Sequence, residues 1–524
     1  MEQSARNDEV ERASFCCGGH AEQGHPSQGL SRREFISVTG AATAVGLSLP
    51  ALMTGALAPS GGPERRPPAP KPLKVLPVFN CEIYPRKEAT SWRVTGAIQN
   101  EQQLQEEERR IQADLKQMAS AADFPLEIKP LITVRDVDQA AAATKQDYDV
   151  LIMYAARRNA KLLEVLAVPD KWNMMFVRHR SGPLYYMYVG APTHFLRKRR
   201  DEQGQPGMDV HDIVVDDHAE LLWRLRACYG LKNLLGKRIV AIGDAGGWGA
   251  DGAGAPDRAR AAWKLDIVPV SYDELGKRIQ KAQQNEPFLR RRQAQAQQYL
   301  QGAGVTLETP RAFVEKAFVL CEVFRDLLVE AQTDAITVNN CMSTIMPVSQ
   351  TTACLPLTLL NDEGYLAFCE SDFVVIPSGI LLHYVSGRPV FLCNPSIPHN
   401  GIVTFSHCTA PRQMNGKELE PVRIVTHYES DFGAAPKVEM SKGQEVTVLN
   451  PDFAGRRWLG FEGTIRDTPF FEMCRTQLDI AIKGDDMRLA QEMRGFHCMI
   501  AYGAHLREVG YALKKIGLDW LRLA

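Results

Sequence analysis

The stretch Leu360-Asn361-Asp362-Glu363-Gly364-Tyr365-Leu366-Ala367-Phe368-Cys369-Glu370-Ser371-Asp372 decides how the chain is read. The apolar run leading into it, Cys354 to Asn361, predicts a helix. Asp362-Glu363-Gly364 predicts a turn, and Tyr365 to Glu370 predicts a short buried strand. A second helix is expected over Phe373 to Ser386. Helix, turn, strand and helix in succession is the grammar of an α/β protein with a parallel sheet. Glu370 closes its strand at the carboxyl end, where such sheets carry their ligand sites.

Toward the N-terminus the same alternation continues. Leu73 to Phe79 is an apolar run suited to a strand buried on both faces. Gln99 to Ala122, rich in Gln, Glu, Lys and Ala and free of Pro, predicts a helix. Leu126 to Val134, Asp149 to Tyr154, Met174 to Val177 and Leu184 to Val189 predict strands, and polar Lys198 to Gly207 predicts a linker. A second unit follows, with a helix over Ala219 to Tyr229 and strands over Lys237 to Ile242, Leu265 to Val270 and Ala335 to Val338. Helices are expected over Pro287 to Gly302 and Pro310 to Ala331. Both units read as doubly wound α/β domains.

Toward the C-terminus the strands shorten and Gly and Pro punctuate them. Pro389 to Cys393 predicts a strand ending at Asn394, and Gly401 to Ser406 one ending at His407, with His399-Asn400 as a turn. Val422 to His427, Glu445 to Leu449, Gly460 to Arg466 and Phe470 to Ile482 complete a mainly-β, barrel-like domain. Gly495-Phe496-His497 precedes a closing helix, His505 to Lys515. The expected layout is therefore a leader over 1–72, an α/β domain over 73–205, a second α/β domain over 206–385 and a β-rich domain over 386–524.

Composition fits this reading. The chain has 524 residues, too many for one ordinary core, with 45% hydrophobic and 23% charged residues. Sixty-one Lys and Arg against 62 Asp and Glu leave a net charge of -1. A dedicated nucleic-acid binder would show a basic excess, so no nucleic-acid partner is expected. Collagen-like, coiled-coil, disordered and polytopic membrane classes are excluded.

The leader carries its own signal. Ser31-Arg32-Arg33-Glu34-Phe35-Ile36 precedes an apolar run from Val38 to Ala58, and Pro59 to Pro72 is rich in Pro and Gly. This layout resembles a twin-arginine export signal. It predicts export to the periplasm, with contact to the membrane only if the segment stays uncleaved; Ala56-Leu57-Ala58 offers a cleavage site that Pro59 obstructs. Of 12 cysteines, Cys16 and Cys17 lie in the leader. The other ten show no CxxC spacing, which argues against a zinc knuckle or a redox motif. Because the twin-arginine route carries folded proteins, reduced buried cysteines are expected.

Chemistry concentrates in three places. Gly243-Asp244-Ala245-Gly246-Gly247-Trp248-Gly249 follows a strand but lacks the GxGxxG and GK[ST] spacings, so it reads as a tight turn lining a cleft, with Trp248 as a cap. Glu370 and Asp372 follow the central strand, and His407 and His497 flank later ones. Two carboxylates and two imidazoles are typical ligands of a divalent ion. Read singly, Asp362 and Glu363 are turn residues and Asp372 caps the next helix. Cysteine adjoins each position: Cys369-Glu370, Cys393-Asn394, His407-Cys408 and His497-Cys498. Strand neighbours point to opposite faces, so these cysteines are expected to turn away from the cleft and pack as small hydrophobes.

Leu360 to Gly364 with Phe368 to Asp372 resembles the metal-site block of the L-fucose isomerase and L-arabinose isomerase superfamily. Thr404-Phe405-Ser406-His407-Cys408 resembles its next block, and Gly495-Phe496-His497 its closing histidine block. The order of two α/β units and a barrel over 73–524 is similar as well. The resemblance implies an aldose–ketose isomerase that binds Mn²⁺ or a similar ion and moves a proton through an enediol. It implies that Glu370 binds metal and transfers protons, and that His407 and His497 are metal ligands. It also implies a homo-oligomer, trimer or hexamer, acting on a small-molecule sugar. Asn394 departs from the pattern: it stands where the family carries a second acidic ligand and base. Its carbonyl oxygen can meet a metal but cannot take a proton. A sugar-binding protein without turnover is the alternative that Asn394 favours; the glycine loop lends only weak support to a nucleotide-dependent oxidoreductase.

Overall fold

The computed structural model describes residues 66–523, apart from 85, 90–97, 158, 183–185, 198–200 and 202. The twin-arginine pattern, the apolar run after it, and Cys16 and Cys17 lie outside the described residues.

Leu73–Asn80 is an apolar strand buried along almost its whole length. Both its edges are paired in parallel, as that burial requires. Its sheet runs Leu126–Ile128, Leu73–Asn80, Val150–Ala155, Trp172–Val177 and Ile213–Val215, with Ile132–Val134 also on Leu73–Asn80. The strand expected over Leu126 to Val134 is thus two strands. Pro130 lies between them, and a residue without an N–H cannot continue a ladder. Of the strand expected over Leu184 to Val189, the described residues 186–189 open the helix Tyr186–Arg197 instead. Buried Tyr188, Ala191 and Phe195 recur at helical spacing there, which the short aromatic run conceals. The expected linker ends in a small hairpin that pairs Gly204–Gln205 with Met208–Asp209 just beyond it.

The second sheet is wholly parallel, in the order Asp266–Val270, Arg238–Ile242, Ala335–Val338, Leu366–Cys369. Chain order reverses at Arg238–Ile242, so the loops after that strand and after Ala335–Val338 face one crevice, the position where such sheets bind ligands. Arg311–Glu330 buries Val314, Leu320, Phe324 and Leu328 against this sheet.

Beyond residue 390 six antiparallel strands close into a barrel. The ring runs Glu445–Pro451, Cys498–Tyr502, Phe391–Pro395, Ile402–His407, Thr476–Ile482 and Arg457–Asp467, which pairs back with Glu445–Pro451. Asp519–Arg522 adds in parallel to Arg457–Asp467. Alternate residues fill the interior: Phe391 and Cys393, Val403 and Phe405, Leu478 and Ile480, Ile500 and Tyr502. Val422–His427, expected with the barrel, pairs instead with Phe432–Val438 and Val305–Leu307 in a separate small sheet. The last expected strand shortens to Thr476–Ile482.

The helix Ile376–Ser386 ties the parts together, packing on His218–Leu234 and on Cys498–Tyr502. Residues 65–524 form one compact unit. No helix among the described residues is long and apolar enough to cross a membrane. All ten described cysteines are free, and eight of them are buried.

Candidate functional site

Three loops meet at the carboxyl ends of the second sheet: 243–249, 339–341 and 370–372. The Gly246 N–H donates to the Ser371 carbonyl at 3.2 Å, and the Phe373 N–H donates to the Gly246 carbonyl at 3.0 Å. The Asn339 side-chain amide donates to the Gly243 carbonyl at 3.2 Å. These bonds clamp the glycine loop onto the strand end that carries Glu370. Gly243 is required at its place: its φ is +75°, and a Cβ there would stand 1.9 Å from the Tyr272 ring.

The strand stops at Cys369 because Glu370 and Ser371 both adopt left-handed backbone, with φ of +62° and +45°. For residues with a Cβ this conformation costs on the order of 1–3 kcal/mol, and such outliers gather at functional sites. It swings the Glu370 carboxylate toward the barrel, which supplies two histidines from strand ends. His407 closes Ile402–His407, and its Nε2 lies 3.3 Å from Glu370 Oε1. His497 precedes Cys498–Tyr502, and its Nε2 lies 3.2 Å from Glu370 Oε2. Each imidazole is held from behind. His407 Nδ1 lies 3.1 Å from Thr409 Oγ1, and His497 Nδ1 lies 2.7 Å from Asp372 Oδ2. The Trp248 indole N–H donates to Glu370 Oε2. Its ring stacks on Phe496 with centroids 4.6 Å apart and planes within 7°. Both rings are open to solvent, 43% and 44% exposed, so the pair forms an accessible aromatic face beside a polar cluster.

Electrostatics follow from this packing. Burial opposes a charge on His497, but Asp372 and Glu370 outweigh it and raise the imidazolium to about 9. Burial also opposes the charge on Glu370; the His407 hydrogen bond and the ion pairs with His407 and His497 prevail and hold its carboxyl far below the usual range. The Cys369 thiol is pushed well above its ordinary value by burial and then by the Glu370 charge.

Glu370, His407 and His497 therefore share one cluster. Asn394 is the neighbour of this cluster in the barrel wall. It is half-buried in Phe391–Pro395 and pairs with Ser406, while Cys393 before it pairs with Cys498, so continuing that register sets it beside His497. It makes no side-chain hydrogen bond to Glu370, His407 or His497 among the described residues.

Asp372, expected as a helix cap, has another task. The helix begins later, at Ile376; one oxygen of Asp372 accepts the Val374 N–H and the other holds His497. The expectation that every flanking cysteine turns away holds for three of the four. Cys393 and Cys498 fill the barrel, and Cys408 packs with Cys354, Cys474 and Ala435. Cys369 differs: it packs in the same buried core, yet its sulfur also lies within 4.8 Å of ligand atoms of Glu370 and His407. Strand alternation does not extend through a left-handed Glu370, so neighbours 369 and 370 need not face apart. Asp362 closes the helix Cys354–Asp362, where burial raises its carboxyl to about 7 despite the N–H groups of Arg412 and Gln413 on it; Glu363 binds Arg325.

The residues suit a divalent cation. Ligand atoms of Glu370, His407 and Cys369 lie within 4.8 Å of one another, and beside them the fully buried Nε2 of His497 is ion-paired with Glu370 but has no hydrogen-bond partner among the described residues. The carboxylate behind His497 is the usual support of a metal-bound histidine. A scan of protein-family models and a search of curated proteins find no match to this chain.

Proposed function

We infer that the chain is a divalent-metal-dependent sugar isomerase-like enzyme that interconverts aldose and ketose. The observation that carries this reading is the convergence of Glu370, His407 and His497, three positions singled out in separate blocks of sequence, around one carboxylate. Two α/β units ahead of a barrel, in the order seen in the isomerase superfamily, add support. So does the Trp248–Phe496 face, since a sugar offers C–H groups to an aromatic ring and hydroxyls to polar groups.

The bound ion, Mn²⁺ or one like it, would polarise the sugar's carbonyl and adjacent hydroxyl oxygens. Asp372 fixes the His497 ring through Nδ1, leaving Nε2 for the site. Thr409 does the same for His407. Glu370 is kept ionised at neutral pH and can hold a proton at either oxygen only briefly, which makes it a ligand first and a weak base second. Asn394 cannot act as the missing base. In this reading the protein is exported by the twin-arginine route and works as a homo-oligomer.

The test is ketose formation from a panel of aldopentoses and deoxyhexoses, with Mn²⁺ and after chelation, for wild type and Glu370→Gln. Metal-dependent turnover that Glu370→Gln abolishes is the expected result. Because Asn394 removes a base, a sugar-binding protein without turnover is the second reading. Saturable sugar binding with no ketose from any substrate would establish it.

A further inference from the structure

The donor set around Glu370 differs in kind from one built for Mn²⁺. Manganese and magnesium sites are made of carboxylates, carbonyls and water, whereas thiolate and imidazole select softer ions. Here the second carboxylate is replaced by Asn394, and the sulfur of Cys369 stands within 4.8 Å of Glu370 and His407 ligand atoms. Donors on a Zn²⁺-sized ion, with bonds of about 2.0–2.3 Å, are separated by distances inside that limit. Two further features border that space. The fully buried His497 Nε2 forms an ion pair with Glu370 Oε2 at 3.2 Å but no hydrogen bond among the described residues, and it stands outside the atoms that Cys369, Glu370 and His407 bring within 4.8 Å of one another. The left-handed backbone at Glu370 and Ser371 lets a cysteine and the glutamate after it face one point.

We propose that Cys369 is a metal ligand together with Glu370 and His407, with His497 holding Glu370 from outside that group, and that the site takes a thiophilic divalent ion of the Zn²⁺ or Co²⁺ class in preference to Mn²⁺. This rests on the metal-dependent reading above and deepens it. A lost carboxylate and a gained thiolate keep the ligand charge at this centre while changing the ion it selects. Binding releases the thiol proton to solvent, because a coordinating thiol is deprotonated.

The experiment loads the full-length protein with Co²⁺ alone and records its absorption spectrum. A thiolate-to-cobalt charge-transfer band in the near ultraviolet is expected. It should vanish in Cys369→Ser and persist in Cys321→Ser, a buried cysteine of the helix Arg311–Glu330 that belongs to no metal-capable group among the described residues. Cys369→Ser should also weaken Co²⁺ binding by at least about 10–100-fold, the range seen when even an outer partner of a metal ligand is removed. Dialysis against equal Zn²⁺ and Mn²⁺ should leave Zn²⁺ on the wild type. Should Cys369→Ser fail to fold, X-ray absorption of the wild-type Zn²⁺ form decides, since one sulfur at about 2.3 Å is expected. Bound Co²⁺ without a thiolate band, no sulfur around Zn²⁺, or no Co²⁺ binding at all overturns the assignment. Ketose formation with Mn²⁺ but no thiolate band would sink this proposal alone. A thiolate band with no ketose from any sugar would sink the isomerase reading alone.

Discussion

At the scale of single residues, Asp372 and Asn394 separate what is local from what is shared. Asp372 reads in sequence as a cap, yet its carboxylate is fully buried against His497 Nδ1 at 2.7 Å. Asp372→Asn preserves shape but removes the charge that orients and polarises the imidazole. Metal affinity is expected to fall about 10–100-fold, read by calorimetric titration, with the His497 imidazolium pKa dropping below about 9 in an NMR titration of the metal-free protein. An unchanged affinity would show that this carboxylate supports no ligand. Asn394→Asp returns an acid to the strand beside His497. Tighter divalent-ion binding is expected, and a gain in ketose formation of up to about 10²–10⁴, the usual worth of a placed general base. Reduced activity would mean a chemistry tuned to Asn394, and no change would place that residue outside the site.

At the scale of elements, the glycine loop and the helix Ile376–Ser386 matter most. Gly243→Ala asks for a Cβ at left-handed φ, inside the Tyr272 ring. A loss of about 1–3 kcal/mol is expected in urea unfolding. The loop carrying Trp248 should shift as well, seen as changed Trp248 fluorescence. A silent substitution would mean that the loop is not clamped as described. His383, partly buried on the helix, binds the Arg388 carbonyl through Nδ1 and is lowered by burial to about 4. Above pH 6.5 it is neutral whether folded or unfolded. As pH falls from 6.5 toward 4 the unfolded chain takes a proton that the folded chain refuses, so stability is lost across that window. The loss is on the order of 3 kcal/mol. His383→Gln should flatten the stability profile between pH 4 and 6.5 relative to wild type; parallel profiles would remove His383 as a cause.

At the scale of the whole molecule, the leader and the folded body make separate demands. Arg32→Lys with Arg33→Lys is expected to leave the protein folded but retained in the cytoplasm. A receptor that reads guanidinium geometry is not satisfied by an ammonium. Cell fractionation checks this, and normal export of the double variant would end the twin-arginine reading. The body has to join the crevice of a parallel sheet to the rim of a barrel, because no single part holds the cluster. Glu370 and Asp372 come from the sheet, and His407 and His497 from the barrel.

By itself the sequence determined the succession of elements. The buried runs at Leu73–Asn80 and Val150–Ala155, the short strands beyond residue 390 and the positions of Glu370, His407 and His497 at strand ends are all local patterns of apolar period and turn residues. Even the misread segments have local causes, a proline at 130 and a helical stripe from Tyr188 to Phe195. What only the tertiary structure decided is which groups touch. Asp372 meets His497 across 125 positions, and Trp248 meets Glu370 across 122, because a barrel closes and a loop folds back on a neighbouring strand end. Cys369 faces the cluster because two residues after it leave extended backbone, and no pattern of side-chain types marks a Glu and a Ser for positive φ. Period records which face is buried; contact depends on how surfaces distant in the chain close on one another.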